Sequence, residues 1–462
     1  MVNSPQRIPL SMPTFAPARP PRITRRQALQ SALVGAGALL LPRRLRAAPA
    51  PDQLQLAFIG VGGRGAAAIR ALTDQHYVAF ADVDDTRAAR TYSAFQDVPR
   101  YRDFRRMLDR HAGKIDGVVI STPDHSHYSV AMACMAAGKH VYIEKPLAPT
   151  PWECRELEKA AERHRVKAQL GIQGHSAEAL RVLREWIDAG AAGPIESVYL
   201  WTSRIPPHRY IGSDSLAPAE PVPDTLDWDL WLAGRPHRPY SSQYVPFVWR
   251  NWWDFGSGAI GDIGVHMFDA VEFALNVGFP TLVEAEAPEN GRFTTPPWSR
   301  ARWSFLARGT RPPVTVHWFN GTRDGQVFRP REVPRIPQAV LSATDNGMAF
   351  IGREGTLFVP DIRVESRPRL YPLARERDIV ATPPARTLER IKGGHMQDWF
   401  DAIREDREPG AHLGYGGPLT EVALLGALAQ RTGKPIRWNR TTMTAAGVPE
   451  VDALIRPPPG HG

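Results

Sequence analysis

The feature that most constrains the fold is the stretch LQLAFIGVGGRGAAAIRAL at residues 54–72. An apolar run that ends at Ile59 predicts a buried strand, and the run that begins at Ala66 predicts a helix. The turn between them has the G-x-G-x-x-G spacing, which lets a backbone approach a pyrophosphate and lets a helix pack closely on a strand. We therefore predict a dinucleotide-binding turn at the start of this helix, formed by Gly60, Gly62, Gly63, Arg64 and Gly65.

An acidic residue follows at the distance that such a turn requires. Tyr77–Ala81 is typical of a second strand, and Asp82 ends it about 20 residues after Gly60. A carboxylate at this position accepts hydrogen bonds from ribose hydroxyls and repels a 2′-phosphate, so Asp82 favours NAD over NADP. The alternative for Asp82 is a structural cap at the end of the strand.

Two further strands complete the predicted parallel sheet. Gly117–Thr122 and the segment KHVYIEKPL are strand-like, and the helical stretch HYSVAMACMAAG separates them. This spacing is typical of a doubly wound α/β sheet, whose ligands lie beyond the carboxyl ends of the strands. The ends of these strands add five predicted cofactor-binding residues, Thr122, Pro123, His127, Glu144 and Lys145.

The positive charge of the chain is concentrated at its N-terminus. The formal net charge is +9, but residues 1–50 contain eight arginines and no acidic residue. The rest of the chain is close to neutral, which argues against a nucleic-acid-binding surface. The length of 462 residues is enough for two or three domains.

The basic N-terminal segment has the order of a signal peptide. Arg25 and Arg26 precede the apolar run Ala28–Leu41, and small residues follow at Ala47–Ala50. A run of 14 residues is too short to span a bilayer, and the paired arginines indicate the twin-arginine export machinery. We expect residues 1–50 to be a twin-arginine signal peptide and the mature chain to be periplasmic, without a membrane span. The alternatives are a disordered basic tail and an anchor helix.

The two cysteines, Cys134 and Cys154, lie in helix-like segments and favour buried free thiols over a disulfide. No CxxC pair or Cys/His cluster in the sequence has the spacing of a structural zinc site. We therefore predict no metal site in this chain.

A second chemical motif is WRNWWDFGSGAIGDIGVH at residues 249–266. Asp262 and His266 are four residues apart, so in an α-helix the carboxylate and the imidazole lie on one face. Gly261 and Gly264 each cost about 1 kcal/mol inside a helix, which suggests that cofactor or substrate presses on that face. The alternative is an acid near a helix start and a buried, hydrogen-bonded histidine.

Five motifs, GVGGRG, ADVD, STPDHSHY, GKHVYIEKPL and GAIGDIGVH, together resemble the glucose–fructose oxidoreductase and inositol dehydrogenase family, Gfo/Idh/MocA. The resemblance runs from about Leu54 to Trp438 and is greater to signal-bearing bacterial members than to cytosolic ones. It implies an α/β protein with an N-terminal Rossmann domain at 51–172, a C-terminal α+β domain with an open, largely antiparallel sheet at 173–440, and a tail at 441–462. It also implies a homodimer or homotetramer formed through that sheet.

The same resemblance implies a catalytic set of three residues, Lys145, Asp262 and His266. Oxidation of an alcohol needs a hydride acceptor and a base, and His266 suits the base because imidazole titrates near neutral pH. Lys145 would stabilise negative charge on the substrate oxygen. Asp262 would orient the His266 ring or bind a neighbouring hydroxyl.

A cluster of five tryptophans between Trp228 and Trp253 suggests a sugar as substrate. Their flat apolar faces suit sugar rings, although some of these tryptophans belong to the core. An arginine among them would bind a carboxylate or several hydroxyls. The predicted substrate residues are Lys145, Gln173, Arg250, Trp252, Asp262 and His266.

The second half of the chain has weaker patterns. Strand-like runs occur at Ile195–Trp201, Leu282–Ala287, Arg302–Leu306, Val314–Phe319 and Thr356–Val359. Helices are predicted near His395–Ile403 and Leu419–Arg431, and we expect them to pack back on the rest of the chain. The Arg- and Pro-rich segment Asn320–Asn346 is predicted to be a loop.

Together these inferences favour an NAD-dependent oxidoreductase that acts on a sugar or a sugar-like polyol. Export to a compartment without an NAD pool would require a tightly bound cofactor that is recycled on the enzyme. Two alternatives stay open, a glycosidase of the redox-neutral oxidation–elimination type and a non-catalytic sugar-binding protein on a Rossmann scaffold. The presence of Lys145 with Asp262 and His266 favours oxidoreductase chemistry over both.

Overall fold

The computed structural model describes residues 53–204, 213–288 and 292–456. The predicted signal peptide at 1–50 and the end of the predicted tail lie outside the described residues. The described chain forms two large sheets and a short two-stranded pair near its end.

The secondary structure alternates between strands and helices in the first half of the chain and is richer in strands in the second half. The strands are β1 Gln55–Ile59, β2 His76–Ala81, β3 Arg100–Tyr101, β4 Gly117–Ile120, β5 His140–Glu144, β6 Ala168–Gly171, β7 Ile195–Thr202, β8 Leu282–Glu286, β9 Trp298–Phe305, β10 Val314–Arg323, β11 Gln326–Val327, β12 Asn346–Gly352, β13 Thr356–Val359, β14 Arg369–Tyr371, β15 Trp438–Asn439 and β16 Thr444–Ala445. The α-helices are α1 Gly63–Ala71, α2 Asp85–Ala94, α3 Phe104–His111, α4 His127–Ala136, α5 Pro151–His164, α6 Glu178–Asp188, α7 Trp228–Leu232, α8 Val265–Leu275, α9 Gln338–Ser342, α10 Leu373–Ala381, α11 His395–Arg404, α12 Leu413–Thr432 and α13 Pro449–Ile455.

The N-terminal sheet is parallel, with the strand order β3-β2-β1-β4-β5-β6. All residues of β1 after the first are buried, as expected for a central strand that is covered on both faces. The direction of winding reverses between β1 and β4, and a doubly wound sheet binds its ligand in the crevice at that point. The predicted Rossmann sheet is therefore confirmed.

The C-terminal sheet has the order β14-β13-β12-β7-β10-β9-β8, and β11 pairs with β10. Within the described chain its one parallel pair is β7 with β10, so the sheet is largely antiparallel, as predicted. One face packs on helices: Trp303 lies 4.7 Å from Phe268 of α8 between ring centroids, and its Nε1 donates to the Val422 carbonyl of α12 at 2.9 Å. This face forms part of the main hydrophobic core.

The prediction of a loop at Asn320–Asn346 is partly wrong. The segment begins as the end of β10, turns into β11 and includes helix α9. It then lies across the second face of the C-terminal sheet, where Val333, Ile336 and Leu341 pack against Trp201. The apolar residues are separated by prolines and arginines, so neither a strand nor a helix period is visible in the sequence.

Two C-terminal helices pack back on the chain, as predicted. In α11, Nε1 of Trp399 donates to the Lys167 carbonyl at 3.0 Å, which joins this helix to the N-terminal sheet. Helix α12 begins at Leu413, before the predicted start, and it includes glycines that the sequence pattern treats as breakers. Gly416 is accommodated because it lies against Leu170, where an added Cβ would approach the leucine Cβ to 2.9 Å.

In residues 53–204, 213–288 and 292–456, no helix combines the length and the apolar character needed to cross a membrane. The same residues contain no group of three or more His, Cys, Asp or Glu side chains arranged to hold a metal ion. Cys134 and Cys154 are buried and free, and burial raises the pKa of the Cys134 thiol to about 12.

Candidate active site

A cavity of about 240 Å³ lies at the carboxyl ends of β1, β2 and β4. Seven residues predicted to bind the cofactor line it, namely Gly60, Gly62, Gly63, Arg64, Asp82, Thr122 and Pro123. The cavity therefore occupies the part of the sheet where ligands of this fold bind.

Two glycines of the turn are required by close approaches of the backbone. Gly60 has a φ of +80°, and an added Cβ would lie 2.7 Å from the carbonyl oxygen of Ser121. A Cβ on Gly65 would lie 1.8 Å from the carbonyl oxygen of Gly60. These approaches keep the first turn of α1 at the wall of the cavity, where the unpaired N–H groups of a helix bind phosphate. The turn therefore fits a dinucleotide.

Asp82 holds the glycine turn as well as lining the cavity. Its carboxylate accepts hydrogen bonds from the backbone N–H groups of Val61 at 2.8 Å, Gly62 at 3.2 Å and Asp84 at 3.0 Å. Burial raises the pKa of Asp82, and these three N–H donors oppose the shift. The structural cap named as the alternative is thus present, in a residue that also faces the cavity.

The opposite wall of the cavity comes from residues 223–250, which we term the roof segment. Backbone hydrogen bonds of 2.9 Å join it to the residues after β2, from the N–H of Asp85 to the Thr225 carbonyl and from the N–H of Asp227 to the Val83 carbonyl. Eight of its residues line the cavity, namely Leu230, Trp231, Ala233, Val245, Pro246, Phe247, Trp249 and Arg250. No periodic pattern in the sequence predicts this segment.

The predicted catalytic residues Lys145 and Asp262 form an ion cluster with Arg250 beside the cavity. Nζ of Lys145 donates to the carboxylate and to the backbone carbonyl of Asp262, and Nε of Arg250 donates to the same carboxylate at 3.3 Å. Burial alone would raise the pKa of Asp262, but the charges of Lys145 and Arg250 outweigh it and hold that pKa well below its usual range. Arg250 also lines the cavity, so it links the cavity to the cluster.

Asp262 lies in a π-helical turn, Ile260–Gly264, that precedes α8. A π turn has i→i+5 bonding, so residues four apart do not align as they do in an α-helix. Neither ring nitrogen of His266 has a hydrogen-bond partner among the described residues, so in this structure Asp262 does not orient the ring through a hydrogen bond. Gly261 packs against its own chain, since an added Cβ would lie 1.7 Å from Oγ of Ser257. The glycine is explained by packing rather than by a ligand.

His266 is buried, and neither of its ring nitrogens has a hydrogen-bond partner among the described residues. Burial lowers the pKa of His266 well below its usual range, and the positive charges of Lys145 and Arg363 lower it further. The predicted titration near neutral pH is therefore corrected, because the imidazole stays neutral. A buried polar group without a partner is typical of a position where a ligand supplies the partner.

Glu144 and Gln173 form a second polar cluster with Arg64. Nε of Arg64 donates to the Glu144 carboxylate at 2.9 Å, and the Gln173 amide donates to the same carboxylate at 3.2 Å. The Gln173 amide also lies 3.2 Å from the hydroxyl of Tyr142. Arg64 lines the cavity, so this cluster borders the cofactor end of the site.

Two other residues that were predicted to contact cofactor or substrate, His127 and Trp252, contact backbone carbonyls of the protein instead. The ring nitrogens of His127 face the carbonyls of Pro146 at 2.8 Å and Thr122 at 3.0 Å, so His127 joins the ends of β4 and β5 instead of facing the cofactor. Trp252 is completely buried, and its Nε1 donates to the Gln243 carbonyl. Its predicted contact with substrate does not agree with this position, whereas Trp231 and Trp249 do line the cavity.

Two ionisable residues near the cluster were not predicted from the sequence. Asp124 is buried in the STPDHSH segment, and burial raises its pKa to about 7, while the charges of Arg250 and Lys145 oppose the shift. Its place in the turn after β4, four residues beyond the carboxyl end of that strand, is a sequence signal for it. Arg363 lies in a loop after β13, and no motif in the sequence distinguishes it.

Two family models match this chain. One, described as an oxidoreductase family with an NAD-binding Rossmann fold, matches residues 54–172, and the other, described as the C-terminal alpha/beta domain of an oxidoreductase family, matches residues 202–311. Both carry the Gfo/Idh/MocA family name.

Among curated relatives, a rhizopine catabolism protein MocA of Rhizobium meliloti is 29% identical over 40% of this chain and 58% of its own length. An inositol 2-dehydrogenase of Leifsonia xyli subsp. xyli is 32% identical over 38% of this chain and 54% of its own length. An alpha-N-acetylgalactosaminidase of Shewanella oneidensis is 31% identical over 25% of this chain and 28% of its own length. The matched region thus spans about half the length of the first two relatives and less of the third.

Among solved structures, the WlbA dehydrogenase of Bordetella pertussis in complex with NADH and UDP-GlcNAcA has the same fold. The TM-score is 0.56 at 18% identity, over 84% of this chain and 99% of that one. The two matched family models, the curated relatives and the paired sheets agree, and the chain belongs to the Gfo/Idh/MocA oxidoreductase family, with a Rossmann domain for a nicotinamide cofactor.

Proposed function

We propose that this protein oxidises a hydroxyl group of a sugar or sugar-like polyol with NAD as the hydride acceptor. One observation carries the proposal: Arg250 lines the same cavity as the glycine turn, and it bonds to Asp262 in the cluster that holds Lys145. The same cluster lies near a neutral His266 that has no partner at either ring nitrogen among the described residues.

Several residues fit the cofactor. The first turn of α1 would hold the pyrophosphate, and Asp82 would face the adenosine ribose, which favours NAD over NADP by repulsion of a 2′-phosphate. Thr122 and Pro123 at the end of β4 would border the nicotinamide half. When bound, the nicotinamide ring supplies the site that accepts a hydride from a carbinol carbon.

The ion cluster accounts for the rest of the chemistry. Asp262 holds Lys145 in place, because its carboxylate and its backbone carbonyl both accept hydrogen bonds from Nζ of Lys145. Lys145 then stabilises the negative charge that develops on the substrate oxygen as the hydroxyl loses its proton. A ring nitrogen of His266 accepts that proton. Because Lys145 makes the hydroxyl more acidic, a base weaker than free imidazole is sufficient.

The substrate class rests on the roof segment and on the relatives. Trp231 and Trp249 present aromatic faces to the cavity, and such faces bind the C–H patches of sugar rings. The inositol 2-dehydrogenase among the relatives acts on a polyol, as its name states, and the WlbA dehydrogenase was solved with a nucleotide sugar acid. These names support a carbohydrate substrate.

The proposal is tested by mixing the NAD-loaded protein with a panel of neutral sugars, sugar acids and inositols while absorbance at 340 nm is followed. We expect at least one of them to produce NADH, and the product to be the corresponding ketone or lactone. A panel in which sugars bind but none changes the absorbance would support the non-catalytic alternative instead.

A second candidate function is hydrolysis of a glycoside through transient oxidation, which the alpha-N-acetylgalactosaminidase relative favours. In that reaction the cofactor is oxidised again within one turnover, so no NADH accumulates. Nitrophenyl glycosides, supplied without an external electron acceptor, distinguish the two functions, because release of nitrophenol supports hydrolysis and its absence supports the oxidoreductase.

We further propose that a twin-arginine signal at residues 1–50 exports the folded protein with NAD already bound, and that the exported chain forms a homodimer or homotetramer. The roof segment, which covers the cavity, supports retention of a cofactor after export. Mass spectrometry of protein from the periplasmic fraction tests this proposal, since we expect nearly one nicotinamide dinucleotide per chain. Protein that arrives in that fraction without nicotinamide would contradict it.

A further inference from the structure

Arg363 is presented by a loop of fixed shape. The Asp361 carboxylate accepts hydrogen bonds from the backbone N–H groups of Arg363 at 2.9 Å, Glu365 at 3.1 Å and Ser366 at 2.8 Å. Val364 is buried and has a φ of +53°, which a β-branched residue rarely adopts. Strained residues of this kind persist where the surrounding structure determines them, and they occur preferentially at functional sites.

The loop lies directly against the candidate active site. An added Cβ on Gly174 would lie 2.2 Å from the carbonyl oxygen of Arg363, so this glycine permits the approach. The neighbouring residue, Gln173, bonds to Glu144 beside the cofactor end of the cavity. The charge of Arg363 acts on His266, whose pKa it helps to lower, so the guanidinium lies within electrostatic range of the predicted base.

Arg363 differs from the other cations of the site in its pairing. Lys145 and Arg250 share the buried carboxylate of Asp262, and Arg64 bonds to Glu144. In the described part of the chain, the one carboxylate within ion-pair distance of Arg363 is Glu365, at 3.8 Å. The side chains of Arg363 and Glu365 are 33% and 63% exposed. Nε of Arg363 is buried and has no hydrogen-bond partner there.

A buried guanidinium nitrogen without an acceptor is costly, and its cost is removed when a ligand supplies the acceptor. The planar fork of an arginine matches a carboxylate, with two parallel N–H donors for two oxygens. The charges around the site also leave an excess of positive charge. Lys145 and Arg250 share the one carboxylate of Asp262, Arg64 is paired with Glu144, and Arg363 adds a further positive charge.

We propose that Arg363 binds a carboxylate of the substrate, so that the enzyme acts on sugar acids in preference to neutral sugars. This inference rests on the proposed function, because it assigns a substrate class to the same site. It makes Arg363 a specificity residue, and no proton or hydride passes through it.

The test compares binding of D-glucuronate, D-gluconate, D-glucose 6-phosphate and D-glucose to the cofactor-loaded protein by calorimetry, together with absorbance at 340 nm. We expect at least one of the two acids to bind roughly 10- to 100-fold more tightly than D-glucose, as expected for a hydrogen bond to a charged group. Arg363→Met should remove this advantage, and Arg363→Lys should restore part of it, because the charge returns without the fork.

Arg367→Met is the matched control, because Arg367 belongs to the same loop region but lies over the Trp186 ring at 5.4 Å. This variant should keep the preference for acids. Circular dichroism and thermal midpoints of all variants establish that they fold, and the wild-type comparison of acids with D-glucose needs no variant at all.

Three results would overturn the inference: equal binding of acids and D-glucose by the wild type, an acid preference that survives in Arg363→Met, or an Arg363-dependent preference for the phosphate alone. Failure of the proposed function is distinguishable from these. Acids that bind through Arg363 without a change at 340 nm would contradict the oxidoreductase and leave this inference standing. Oxidation of neutral sugars, with no binding of acids, would do the reverse.

Discussion

At the glycine turn the site is shaped by the backbone, whereas at the Lys145–Asp262–Arg250 cluster it is shaped by charged side chains. The turn depends on close approaches of Gly60 and Gly65, and the Asp82 carboxylate holds it through main-chain N–H groups. The cluster depends on two cations and one carboxylate that come from distant parts of the chain. The cofactor end is therefore sensitive to the size of a residue, and the catalytic end is sensitive to its charge.

This difference implies that the two ends can be damaged separately. A substitution that removes charge without adding volume should leave the cofactor bound and stop the reaction. A substitution that adds volume without changing charge should release the cofactor. The following variants test that separation, beginning with the largest expected effect.

Lys145→Met should reduce turnover about 10²- to 10³-fold, because one preorganised donor to the developing charge is lost. The cofactor should remain bound, since Lys145 does not line the glycine end of the cavity. Absorbance at 340 nm in a single turnover measures the first effect, and mass spectrometry of released nicotinamide measures the second. Lys139→Met, just before the start of β5, is the control. Normal turnover of Lys145→Met with the cofactor bound would contradict the assignment of Lys145 to the catalytic site.

Gly65→Ala should lower the cofactor content and the free energy of unfolding by about 1–3 kcal/mol, because the added Cβ would lie 1.8 Å from the Gly60 carbonyl. The measurements are cofactor content after purification and the midpoint of chemical unfolding. Gly113→Ala is a matched control, since an added Cβ there meets no atom within 4 Å. Equal cofactor content in the two variants would show that the turn does not hold the dinucleotide.

Asp82→Asn should shift the ratio of NAD to NADP affinity toward NADP on the order of tenfold, because removal of the carboxylate charge relieves repulsion of the 2′-phosphate. Titration of both dinucleotides into cofactor-free protein measures the ratio. Asp116→Asn is the control, because the Asp116 carboxylate also accepts from a backbone N–H, that of Gln55 at 2.8 Å, but does not line the cavity. An unchanged ratio in Asp82→Asn would remove Asp82 from the basis of cofactor choice.

Asp124→Asn should change how stability depends on pH. The pKa of Asp124 rises from 3.8 to about 7 on folding, so the folded chain holds this proton more tightly than the unfolded chain does. The wild type therefore loses stability relative to Asp124→Asn as pH rises through this window, by at most ~1.4 kcal/mol per pH unit. Urea unfolding at pH 5 and pH 8 measures the difference. A constant difference at both pH values would contradict the burial of an uncharged carboxyl.

The glycine end of the site could be predicted from sequence because its parts are local. Gly60 to Gly65 lie within one turn, and Asp82 follows at a distance that the βαβ unit fixes. The same rule predicts Thr122 and Glu144 as site residues, because each lies at the end of a strand that the apolar pattern indicates. Position in the sheet then determines which residues meet.

The catalytic end could be predicted only in part, because its partners are set by tertiary packing. A motif led to Lys145 and Asp262, but the π turn that separates Asp262 from His266 has no sequence signal. Arg363 and the roof segment come from irregular chain, where no period indicates position. Trp252 shows the same limit, since a tryptophan in a cluster of tryptophans does not reveal which ones face inward.

Opening of the roof segment can be followed through the main-chain hydrogen bonds that join it to the residues after β2. The amide hydrogens of Asp85 and Asp227 are the donors in these bonds, so each exchanges with deuterated solvent only when the roof lifts. A dinucleotide that the roof segment retains would leave no faster than this opening. Slow deuterium uptake at both amides would accordingly indicate that one dinucleotide stays bound through many turnovers. Rapid uptake would indicate that the bound dinucleotide exchanges with free dinucleotide in solution.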